Sequence, residues 1–142
     1  MNFNLRLMPI TIAIVLVLGL GTASGQKLSG TTGSSSQWSS GWITLNSGVS
    51  FAKGDRLKLV IGGKAKKIVV RLLATGAAPE TSAGAIGIVD VPETRVVEVV
   101  IPEDRKDVFQ ISVHGGANPW GQFPLGDDNG AATIKSVERL KP

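Results

Sequence analysis

The chain has 142 residues, a net charge of +4, 18 Gly, 7 Pro and neither Cys nor Tyr. That length holds one globular domain, and the missing thiols exclude a disulfide scaffold and a zinc–thiolate site. Charged residues are 18% of the chain, below the ~25% usual in soluble proteins, which argues against charge-driven disorder; aromatics are only 5%, so each ring counts.

The first element is an export signal. Met1–Arg6 is short and basic, residues 7–20 are almost wholly apolar, and small residues follow at Gly21, Ala23, Ser24 and Gly25. A basic start, an apolar run of ~7–15 residues and a small-x-small site define a secretory signal peptide, here residues 1–25. The run interrupts at Pro9 and falls short of the ~20 apolar residues a permanent span requires, so no stable membrane span is expected after cleavage. Arg6 is the sole charged side chain in this segment; its removal leaves 117 residues with a net charge of +3. The expected location is periplasmic or extracellular.

Residues 26–41 are rich in Ser, Gly and Thr and read as a flexible tether, interrupted by Trp38. The domain is expected over 42–142; Trp42 either anchors the first strand in the core, the preferred reading, or forms an exposed pair with Trp38 near the tether. Leu57, Leu59 and Ile61 alternate with Arg56, Lys58 and Val60, the period of a half-buried strand. Residues 67–74 (KIVVRLLA) set Ile68, Val70 and Leu72 against Val69, Arg71 and Leu73 on the opposite face. A loop of small residues covers 77–87, and a short strand covers 88–91. Residues 95–101 align Val97, Val99 and Ile101, and 102–107 (PEDRKD) form a charged turn. Over 108–114 the alternation predicts Phe109, Ile111 and Val113 inward, with Gln110, Ser112 and His114 outward. A long loop spans 115–130 and a last strand spans 132–140. No segment holds a helical period with caps. Short strands between turn signals predict an all-β, antiparallel two-sheet β-sandwich.

Three segments carry a family resemblance: VSFAKGDRLKLVI, RVVEVVIPEDRKDVFQISVHGG and GAATIKSVERLK. Their pattern resembles the galactose-binding-like jelly roll, the fold of many xylan- and glucan-type carbohydrate-binding modules. The resemblance implies a concave sheet carrying a ligand groove, and a sugar ligand. The chain departs from the family where Lys135 follows Ile134, a place often taken by Asp, and in its lack of Tyr.

Sugar binding needs an aromatic face for the pyranose C–H side and polar groups for the hydroxyls. Trp120, in the loop sequence Asn118-Pro119-Trp120-Gly121, is either a stacking platform or a plug closing the end of the sandwich. Gln110, His114, Arg71 and Glu98 are the expected hydrogen-bonding set, on condition that their strands share one sheet; the other reading is an ordinary solvated face. Asp127 and Asp128, in a Gly-Asp-Asp-Asn-Gly turn, offer oxygens for a possible calcium ion, and Asn-Gly is equally a turn dipeptide. Lys64-Ala65-Lys66-Lys67 is a basic knot that either attracts an acidic polysaccharide, headgroup or nucleic acid, or simply guards a hairpin tip. Export argues against nucleic acid. Neither a nucleophile elbow, a paired acid–base constellation nor a phosphate loop is present, so catalysis is not expected. The expected function is non-catalytic glycan binding; the alternative is a structural or protein-interaction sandwich of the cell envelope, with an envelope protein as partner.

Overall fold

The computed structural model describes residues 25–36, 39–74, 84–116 and 130–140. Nine strands run β1 Gln26–Lys27, β2 Gly30–Ser35, β3 Ser40–Phe51, β4 Arg56–Gly63, β5 Lys67–Ala74, β6 Ala85–Asp90, β7 Val96–Val100, β8 Arg105–His114 and β9 Ala132–Leu140. They form a four-stranded sheet, ordered β1-β9-β4-β7, and a five-stranded sheet, ordered β2-β3-β8-β5-β6. Every pairing is antiparallel. Among the described residues no helix is long and apolar enough to cross a membrane.

The alternation in the sequence becomes two inner faces. Leu57, Leu59 and Ile61 of β4 join Val97, Val99, Ile134 and Val137 on one sheet. Ile68, Val70 and Leu72 of β5 join Ile43, Leu45, Ile111 and Val113 on the other. Each buried aliphatic side chain contributes about 1.5–3 kcal/mol, and the chain has no disulfide to add. The pairing is nested: β5 with β6, β4 with β7, β3 with β8 and β1 with β9. The segment read as a tether therefore enters the fold. Gln26–Lys27 closes one sheet edge, Gly30–Ser35 closes another, and Leu28 between them is buried.

The Lys-Gly-Asp turn before β4 is held from both ends. Ala52 N–H donates to Asp55 Oδ2 at 3.0 Å, and Gly54, with φ of 95°, donates to the Ile101 carbonyl. Asp55 is buried there and its carbonyl accepts from Ile101 N–H.

Two expectations are corrected, in β8 and in β3. In both pairings of β8 the register shifts between Val108 and Gln110, so Val108 takes the core position and Phe109 turns out to 36% exposure. A bulge places two residues against one and resets which side chain faces inward. Trp42 is the second correction. Ile43 and Leu45 occupy the core, so period two turns Trp42 and Thr44 to the outer face, where Trp42 is half-buried.

Candidate functional site

The outer face of the five-stranded sheet collects most of the polar side chains singled out in the sequence. Three register rows cross β3, β8 and β5. Ser40, His114 and Val69 form the first; Trp42, Ser112 and Arg71 the second; Thr44, Gln110 and Leu73 the third. Directly opposed residues on one face sit about 4.5–5.5 Å apart, so each row is a contact row. β2 extends the second row with Gly33 beside Trp42.

Trp42 is fixed by what Gly33 lacks. A Cβ at Gly33 would stand 2.7 Å from the indole Cε2 and Nε1, closer than any side chain tolerates. The indole therefore lies against the bare backbone of the edge strand. Gln110 Nε2 donates to Thr44 Oγ1 at 3.2 Å, pairing the two polar groups of the next row. Trp42 and Gln110 are half-buried and Thr44 is exposed. One flat apolar surface flanked by amide and hydroxyl is thus within reach of solvent. Phe109, farther along β8, is a second accessible ring and lies beside Gly48.

Arg71, Ser112 and His114 are on this same face but out of reach. Their exposures are 1%, 2% and 7%. Arg71 Nε donates to Ser112 Oγ at 3.1 Å. A buried guanidinium is tolerated only where its donors are satisfied, so the Arg71–Ser112 pair is a fixed, buried part of this face. His114 feels both its burial and the nearby Arg71 cation. Desolvation chiefly, and Arg71 secondarily, lower its pKa from 6.5 to about 4, so the imidazole is neutral at pH 7. Arg71 and His114, expected as ligand hydrogen-bonders, are placed as supports, and the accessible polar pair is Gln110 with Thr44.

Glu98 leaves the expected set. It lies on β7, in the four-stranded sheet, and faces Arg56 Nη1 at 3.6 Å. It also ends a cross-strand row of Lys27, Glu138, Lys58 and Glu98, in which the sign alternates from strand to strand. Such a row is the ordinary solution for a solvated sheet face, because opposite charges directly across a ladder attract and like charges repel. Trp38, Trp120, Asp127 and Asp128 lie outside the described residues, as does most of the signal segment.

The sequence reading missed Trp42 as a surface residue, although the signal was present. Ile43 and Leu45 are strong core formers at period two, and they require Trp42 and Thr44 on the other face. Among the described residues a cleft of about 220 Å³ lies between Gln26–Ser29 and Leu45–Val49. It is smaller than the ~300–1,000 Å³ of typical ligand sites and carries no aromatic ring.

Compared with known proteins, the chain matches no protein-family model, no curated protein sequence and no solved structure.

Proposed function

We propose that this chain is an exported, non-catalytic glycan-binding protein built on a jelly roll, with its sugar platform on the outer face of the five-stranded sheet. The nested pairing of β1 with β9, β3 with β8, β4 with β7 and β5 with β6 is the connectivity that supports the jelly-roll reading. Export rests on the signal-like residues 1–25.

The observation that carries the binding reading is Trp42. A large ring set on an outer sheet face loses the benefit of full burial, and it sits in one row with Ser112 and beside the row of Thr44 and Gln110. An indole face offers the C–H side of a pyranose a dispersive and quadrupolar surface. Gln110 offers both a donor and an acceptor, and Thr44 a hydroxyl, to the sugar's hydroxyls. Arg71, Ser112 and His114, buried on the same face, fix the rows beside that platform. Trp120 remains a second platform for the same ligand, proposed from its Gly/Pro loop.

Electrophoresis of residues 26–142 through gels containing soluble polysaccharides tests the reading. One polysaccharide is expected to retard the protein, and Trp42→Ala is expected to abolish the retardation while the far-ultraviolet spectrum stays that of the parent. Retardation by no polysaccharide in a broad neutral and acidic panel would sink the glycan reading and favour an envelope-protein partner.

A further inference from the structure

We propose a second binding site, for a polyanionic polysaccharide, at the β4–β5 connection, where the chain crosses from the four-stranded to the five-stranded sheet. It is separate from the Trp42 platform.

Three pieces of backbone bring it together. Lys64 and Lys66 are exposed in the connection between β4 and β5, and Lys64 N–H donates to the Ala131 carbonyl at 3.1 Å. The turn before β7 brings in Arg95, whose Nη1 donates to the Ala65 carbonyl at 2.7 Å. The third is Lys135. A register shift between Ile134 and Ser136 makes it the extra residue of a bulge in β9, and bulges re-aim a side chain. Its chain lies over Gly62, with Cε 3.2 Å from where a Cβ there would stand. Any side chain at position 62 would close that path. So Arg95 and Lys135, distant in sequence, are gathered beside the basic knot.

The charge at this end is lopsided. Among the described residues, Lys64, Lys66, Lys67, Arg95 and Lys135 stand against Asp90, which opposes Lys67 across the β5–β6 ladder, and Glu93 in the turn. The excess of three positive charges equals the whole net charge of residues 26–142. Elsewhere the domain balances its charges, as in the alternating row through Lys58 and Glu98. Arg95 adds a specific demand. It is held in left-handed backbone at φ of 62°, and its Nε and Nη2 are buried without a hydrogen-bond partner among the described residues. Left-handed backbone and unmet buried donors each cost free energy and cluster at functional positions.

A polysaccharide fits better than a membrane surface. Ala65, between the lysines, is fully buried, and among the described residues the exposed large apolar side chains, Ile88, Val100 and Phe109, belong to β6, β7 and β8 rather than the β4–β5 connection. Interfacial binding takes its strength from apolar insertion as well as charge.

The test uses sodium polygalacturonate, with neutral dextran, vesicles of anionic phospholipid and single-stranded DNA as comparison probes. Three proteins are compared: the parent, Lys64→Gln/Lys66→Gln/Lys135→Gln, and Lys27→Gln/Lys53→Gln/Lys106→Gln, which loses the same charge elsewhere. Parent and control are expected to bind polygalacturonate at low ionic strength, and to release it at ~0.3 M salt. The Lys64/Lys66/Lys135 variant is expected to bind at least about tenfold more weakly. Trp42→Ala is expected to leave this binding intact, which separates the site from the sugar platform. Absence of polygalacturonate binding, equal loss in the control variant, or tighter binding to vesicles or DNA than to polygalacturonate would each overturn the proposal.

Discussion

His114 and Trp42 share one sheet face, and burial gives them opposite parts. The imidazole of His114 is held neutral, with its pKa lowered to about 4 by desolvation and by Arg71. The unfolded chain titrates near 6.5 and takes up a proton that the folded chain refuses. Stability is therefore unaffected by this group above pH 6.5 and falls as pH drops from 6.5 towards 4. The loss is about 3 kcal/mol if the full difference is realised. Urea unfolding at pH 7 and at pH 4.5 measures it. His114→Gln is expected to flatten the difference by most of that amount, with the carboxylates acting equally in both proteins; an unchanged slope would show that His114 protonates freely in the fold. Trp42 is placed by a residue that is absent. Gly33→Val would drive a side chain into the indole, so it is expected to impair glycan retardation as Trp42→Ala does. The circular dichroism spectrum would report whether the edge strand survives; retardation equal to the parent's would show that Gly33 does not set the indole's position.

At the level of elements, the two sheets pinch together where β3 begins. Gly41 of β3 faces β9 of the other sheet, and a Cβ there would lie 2.5 Å from Thr133 Cα. The obstacle is backbone, which cannot rotate aside. Gly41→Val is expected to cost about 3 kcal/mol, at the upper end for overpacking, read as a lower urea midpoint. A midpoint equal to the parent's would mean the sheets separate freely at this end. The strands themselves were legible in the sequence wherever one face is apolar: β5 and β9 have the bounds that alternation predicts, and β4 and β7 differ by a residue or two. Two kinds of feature were not legible. Bulges insert a residue without any change in composition, so Phe109 was read inward and Lys135 had no evident reason for its place. Edge strands made of small polar residues have no apolar period, so β2, with the sequence GTTGSS, looked like a tether. Its pairing comes from β3, which offers a free ladder edge to it. Glu98 was misplaced for another reason: period two tells which side of a strand a residue takes, and says nothing of which sheet the strand joins.

The whole molecule is held by one aliphatic core between two sheets, with no disulfide. Leu59 is wholly buried in β4, the strand flanked by β9 and β7. Leu59→Ala is expected to cost about 2–5 kcal/mol, and reducing agent is expected to leave the parent's unfolding midpoint where it is. A cost below about 1 kcal/mol would contradict the placement of Leu59 at the centre of the core. The same architecture divides the surface into separate territories: a ring flanked by polar groups on one sheet, and a concentration of positive charge where β4 connects to β5. On the proposed reading Trp42 touches the sugar, and a protein with Trp42 as its sole indole reads that contact. Trp38→Phe/Trp120→Phe leaves that indole alone. Titration with the polysaccharide that retards the parent is predicted to shift or quench its emission saturably, over the concentrations that retard the variant. Retardation with an unchanged emission would contradict the claim and move the platform elsewhere on the molecule.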